Sequence, residues 1–166
     1  MRIGVSGHQD REGLDWVWTR ASIDEVIRQM GNVEHALTSL AIGADTAFAE
    51  VCQARKIAVT AVVPLESYER FFEGAALHTY HRLLAGSEII RLPGDEDEQR
   101  AFLAAGQYVV DHSDALVAIW DEQPAGGVGG TADIVAYAQS CGRPIHLINP
   151  LTRTTRTIDG KHHQNG

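Results

Sequence analysis

Residues 115–140 read ALVAIWDEQPAGGVGGTADIVAYAQS, and this stretch decides the fold. Ala115–Trp120 is a continuous apolar run, as expected of a strand buried on both faces. Four glycines in five positions follow: Gly126, Gly127, Gly129 and Gly130. Thr131–Ser140 then has helical spacing, and Gly142 and Pro144 stop it. Glycines let the backbone turn tightly and approach an anion without Cβ clashes. Thr131 suits the N-cap, and the helix behind it directs free N–H groups and the positive end of its dipole into the loop. The occupant these features favour is a phosphate or a carboxylate. No Lys follows the glycines, so this is not a Walker loop, and it is not a GxGxxG after the first strand.

The same alternation runs through the rest of the chain. Met1–Gly7 reads as a strand and Leu14–Met30 as a helix. His35–Ile42 is a second strand, after which Gly43–Ala44–Asp45 opens a helix to Arg55. Ile57–Pro64 is the third strand, and Leu65–Ala85 is helical with a break near Gly74. Glu88–Leu92 is a short strand, Asp95–Ser113 a helix and Pro144–Ile148 the last strand. Residues 1–150 form one domain on this reading, and residues 151–166 are a polar tail without periodicity. Six strands separated by helices, without hairpin signals, predict an α/β fold: three layers, Rossmann-like, with a mainly parallel sheet. Right-handed crossovers place Met1–Gly7 beside Ala115–Trp120, giving the order 4-3-2-1-5-6.

The 166 residues are one domain's length, and 44% hydrophobic with 22% charged residues is ordinary for a soluble globular protein. No apolar run approaches the ~20 residues of a membrane helix. The opening MRIGVSGH has no charged-then-apolar leader, so a cytoplasmic protein with no membrane partner is expected. The net charge is −8, from 14 Lys+Arg against 22 Asp+Glu. That acidity argues against a nucleic-acid polymer as partner. Cys52 and Cys141 form no CxxC pair and read as small hydrophobes. His78 and His81 lack a third ligand and read as surface residues, so neither a metal nor a cofactor is expected. The acidic run Asp95–Glu98 complements a helix dipole. Phe71, Phe72, Leu77, Tyr80 and Leu83 offer more apolar surface than one sheet face covers, which predicts a homodimer.

Ligands in a parallel α/β sheet bind at the strand carboxyl ends, where strand order reverses. There the chain places Ser6–Gly7–His8, Gly43–Ala44–Asp45 and Gly127–Thr131. Asp45 either caps its helix or accepts hydrogen bonds from sugar hydroxyls, and the two roles are compatible. His8 either contacts a phosphate or base, or is a satisfied polar residue.

SGH after the first strand, GAD after the second, and AAGQYVVDHSDALVAIWD followed by GGVGGTADIVAYA together resemble the SLOG superfamily. These are Rossmann-like domains related to the Lonely Guy phosphoribohydrolases and to the DNA-processing protein DprA. The resemblance covers Met1–Pro150. It implies that the protein binds a nucleotide or a nucleotide-derived phosphate ligand, as a sensor or carrier. It gives ligand-binding roles to Ser6, Gly7, His8, Asp45, Gly129, Gly130 and Thr131, and position adds Gly43 and Gly127. The alternative is a nucleoside monophosphate phosphoribohydrolase. Lonely Guy enzymes resemble PGGxGTxxE; here Ala125 stands in the proline's place, and Ile134 stands where the acid is needed. Their Arg-Lys pair is replaced by Ala104–Ala105–Gly106–Gln107. Asp133 is the nearest carboxylate and hence the candidate catalytic residue. A third reading, an interaction protein with a vestigial pocket, is opposed by the glycine loop.

Overall fold

The computed structural model of the chain describes residues 1–9, 12–124 and 130–160. At its centre lies β1 (Arg2–Gly7), paired in parallel with β2 (His35–Thr38) on one side and β5 (Ala115–Ile119) on the other. Beyond β2 lie β3 (Ala58–Val63) and β4 (Glu88–Arg91). Beyond β5 lie β6 (Ile145–Asn149) and β7 (Thr154–Ile158). The order is β4-β3-β2-β1-β5-β6-β7, so the first six strands take the predicted sequence.

The seventh strand corrects the prediction of six. Residues 154–158, read as part of a polar tail, pair antiparallel with β6. A hairpin brings them there: the Asn149 side-chain oxygen accepts from the Leu151 and Thr152 N–H groups, at 3.1 Å each. The turn closes with the Arg153 N–H on the Asn149 carbonyl at 2.9 Å. An Asn-Pro step is a turn signal, and TTRTI is largely β-branched. β7 is mostly exposed, so no hydrophobic periodicity marks it; only Ile158 packs inward, against the cluster around Leu116, Ile145 and Leu147.

Helices cover both faces. α1 (Trp16–Met30) and α2 (Ala44–Ala54) pack Ile23, Val26, Ile27 and Phe48 onto Ile3, Val5, Val117 and Ile119. On the opposite face, α4 (Glu98–Asp111) and α5 (Thr131–Ser140) lie over Leu37, Val62, Leu116 and Ala118. Local chemistry starts the helices: the Asp15 carboxylate accepts the Trp18 N–H at 2.9 Å, and Asp97 accepts the Gln99 N–H at 3.0 Å.

The segment after β3 forms a short 3-10 helix, Tyr68–Phe71, and then α3 (Gly74–Ala85), with the break at the expected place. Tyr68, Phe72, Tyr80 and Leu83 are buried with Leu40, Ala61 and Val63, and Phe71 and Leu77 pack partly against them. Most of the apolar surface on which a homodimer was expected to form is therefore covered by the chain itself. No helix among the described residues is long and apolar enough to cross a membrane.

Candidate functional site

Strand order reverses between β1 and β5, and a cleft of about 460 Å³ opens there at the carboxyl ends of the strands. Ser6, Gly7, His8, Asp45, Gly130 and Thr131 all line it. Gly43 does not line it; it is the N-cap of α2, at φ +99°. Gly127 and Gly129 lie outside the described residues.

The end of β1 is stitched to its neighbours by backbone. The His8 N–H donates to the Ile119 carbonyl at 3.0 Å, and the His8 carbonyl accepts the Ala44 N–H at 2.9 Å. Gly7 is a glycine because of this crowding: a Cβ there would stand 2.4 Å from the Ala44 Cβ and 2.8 Å from the Ile119 Cβ. His8 Nε2 lies 2.9 Å from the Asp121 backbone nitrogen and 3.1 Å from the Asp121 carboxylate. A neutral ring with Nε2 unprotonated accepts the amide N–H; a ring protonated at Nε2 donates to the carboxylate instead.

Asp45 sits in the first turn of α2 but does not cap it. Its Oδ2 accepts the Ala41 N–H at 3.3 Å, holding the β2–α2 loop, where Leu40 adopts φ +57°. The residue is 7% exposed. Burial pushes its carboxyl up to about 7, against the opposing pull of the Ala41 and Ser39 backbone and the Thr38 hydroxyl.

At α5, Gly130 is the N-cap and Thr131 the first helical residue, which corrects the expectation that Thr131 caps. The Gly130 carbonyl accepts the Asp133 and Ile134 N–H groups at 3.1 and 3.3 Å. Asp133 is exposed and does not line the cleft, whereas Ile134, 2% exposed, does. One residue along a helix turns the side chain by about 100°. Asp133, the candidate catalytic residue, thus stands outside the cleft lining, and Ile134 takes the place facing it.

The sequence reading missed the aromatic wall. Tyr68, Phe71, Phe72, Phe102 and Trp120 line the cleft. Phe71 and Phe102 meet edge to face, with centroids 5.2 Å apart and planes at 75°. Tyr68 packs edge-on to Phe72 at 5.1 Å. The Trp120 indole N–H donates to the Gln123 carbonyl at 2.9 Å. Extending the search a few residues past Pro64, at the end of β3, would have reached Tyr68, Phe71 and Phe72. Phe102 carries no such signal, because α4 brings it in from the far side. Gly106 on α4 lets Ile134 approach: a Cβ there would stand 2.4 Å from the Ile134 Cδ1.

No protein-family model and no curated protein matches the chain. Solved structures do. DNA processing protein A from Helicobacter pylori, described for its single-stranded DNA binding mode, superposes with a TM-score of 0.63 at 15% identity, over 89% of this chain and 64% of that one. DNA processing protein A from Streptococcus pneumoniae gives 0.64 at 16% identity, over 88% and 49%. The chain thus spans less than two thirds of either protein, and what it shares with them is a DprA-like, Rossmann-like fold.

These neighbours overturn two expectations. The Helicobacter pylori protein is described as binding single-stranded DNA, a nucleic-acid polymer, where a small nucleotide-derived ligand, carried or cleaved by a phosphoribohydrolase, was expected. These neighbours also contradict the exclusion of nucleic acid as a partner. That exclusion rested on a net charge of −8, which sums the whole surface. Single-strand binding also draws on local aromatic faces, which a charge total does not register.

Proposed function

We propose that the cleft binds single-stranded DNA, with unstacked bases laid on its aromatic rings and a phosphate at its rim beside Gly130–Ala132. The observation that carries this reading is the aromatic lining, in which Phe71, Phe102 and Trp120 keep part of their surface exposed. Base–aromatic stacking contributes about 1–3 kcal/mol per base and tolerates any sequence. Bases in a duplex are already stacked, so the preference is for single strands. Asp45 and Asp121 disfavour a phosphate deep in the cleft, whereas the start of α5 presents N–H groups and the positive end of a helix dipole. The fold of the Helicobacter pylori protein supports the assignment. The SGH, GAD and GGT turns support placing the chain in the SLOG superfamily.

The test is fluorescence anisotropy of a labelled oligothymidylate and of a duplex of equal length, at low salt. The expected result is saturable binding of the single strand, weaker binding of the duplex, and a loss of roughly tenfold or more in Phe102→Ala. Absence of single-strand binding, or a Phe102→Ala variant that binds as tightly as the parent, contradicts the reading.

A further inference from the structure

Among the described residues that line the cleft there is no Lys or Arg, and Asp45 and Asp121 add carboxylates. A single strand brings a phosphate with every nucleotide, and its backbone needs cations along its path. A cation stands directly against the aromatic wall. The Arg70 guanidinium lies over the ring of Phe71, 5.1 Å from its centroid, and Phe71 lines the cleft. Arg70 also donates to the carboxylate of Glu98, which lies one turn before Phe102 on α4. The ion pair and the Phe71–Phe102 ring pair thus join the same two elements, the 3-10 helix and α4.

That ion pair is open to exchange. Both side chains are half exposed, 54% for Arg70 and 48% for Glu98. An exposed pair of this kind contributes little to stability. A guanidinium fork takes a phosphate as it takes a carboxylate, with parallel N–H groups on two oxygens. The neighbouring acids have other partners: Glu69 lies 3.9 Å from His81, and Asp97 accepts the Gln99 N–H at 3.0 Å. Resting on the single-stranded DNA reading of the same cleft, we infer that Arg70 is the phosphate-binding residue of the aromatic wall, and that a backbone phosphate displaces Glu98 from it. A base lying against the exposed part of Phe71 leaves its own phosphate one sugar away, beside the guanidinium. Glu98 holds Arg70 over Phe71 in the free protein and competes with DNA for it. This contact is separate from the phosphate placed at the start of α5.

The experiment follows the anisotropy of a labelled oligothymidylate across a salt series, for the parent, Arg70→Gln, Glu98→Gln, the double variant and Arg100→Gln. Each phosphate neutralised on a single strand adds about 0.7 to the slope of log affinity against log salt. Arg70→Gln is expected to lower the slope by about that amount and to weaken binding severalfold at low salt. Lost packing on Phe71 alone would weaken binding at every salt concentration and leave the slope as it was. Glu98→Gln frees Arg70 and should tighten binding severalfold, while Asp97 still caps α4. In the Arg70→Gln background the same change should gain little, because its effect runs through Arg70. Arg100 lines a separate hollow with Ala104 and Tyr108, so Arg100→Gln controls for bulk charge and should keep the parent's slope. An unchanged slope in Arg70→Gln, or an equal fall in Arg100→Gln, overturns the assignment and leaves the single-stranded DNA reading standing. If Arg70→Gln fails to fold, Glu98→Gln decides: binding no tighter than the parent's overturns the assignment. Failure of the parent to bind the strand overturns both.

Discussion

Burial of Asp45 couples its charge to folding. Its carboxyl rises from an ordinary 3.8 to about 7, so the folded chain holds that proton more tightly than the unfolded chain does. The associated stability is fully present below the unfolded value and is lost as pH rises through the folded one. Asp45→Asn removes the dependence while keeping an oxygen for the Ala41 N–H. The variant should therefore gain on the parent between pH 3.8 and about 7, by an amount on the order of a few kcal/mol. Denaturant titrations of both proteins across that interval check this, and parallel profiles would contradict it. Gly7 makes a second claim at this scale. Gly7→Ala places a methyl 2.4 Å from the Ala44 Cβ and should destabilise by about 1–3 kcal/mol in urea unfolding, with or without DNA present. A variant that unfolds like the parent but no longer binds would instead give Gly7 a direct ligand role. Both residues were visible in the sequence as members of small turns after strands. What they do there was not, because the Ala44 contact and the Ala41 hydrogen bond exist only once β1, β2 and α2 are assembled.

Among the elements, β7 shows why some structure escapes a reading of hydrophobic pattern. All of its side chains but Ile158 are exposed, and pairing with β6, more than burial, fixes it. The apolar runs of β1, β5 and β6 were legible because helices cover both of their faces. Truncation after Pro150 would leave the β6 edge unpaired and uncover the cluster that Ile158 joins. The expected outcome is faster amide exchange across Ile145–Asn149 and a lower Tm. Unchanged exchange there would show that β7 adds nothing to the sheet. The aromatic wall was hidden for a different reason. Tyr68, Phe71 and Phe72 lie in a segment whose composition reads as a helix packing on the sheet, and two of them are indeed buried there. Only the break before Gly74 and the approach of Phe102 from α4 turn one edge of that packing into a cleft lining.

At the scale of the whole molecule, the sheet order builds the cleft. Reversal between β1 and β5 gathers the turns after β1, β2 and β5 at one edge, and the six-strand order that implies this convergence followed from crossover rules and apolar runs. Net charge misled at this scale, because a total of −8 describes the surface as a whole and not the cleft. The central claim is that single-stranded DNA occupies that cleft, and the molecule carries its own reporter for it. Of its three tryptophans, Trp120 lines the cleft, while Trp16 and Trp18 lie on α1 and pack against the cluster around Ile3, Ile23 and Phe48. A titration with an oligothymidylate, followed through the three indole N–H resonances by NMR, separates them. The account predicts a saturable shift of the Trp120 indole, with Trp16 and Trp18 unmoved. Binding that shifts Trp16 or Trp18 and leaves Trp120 in place would contradict it.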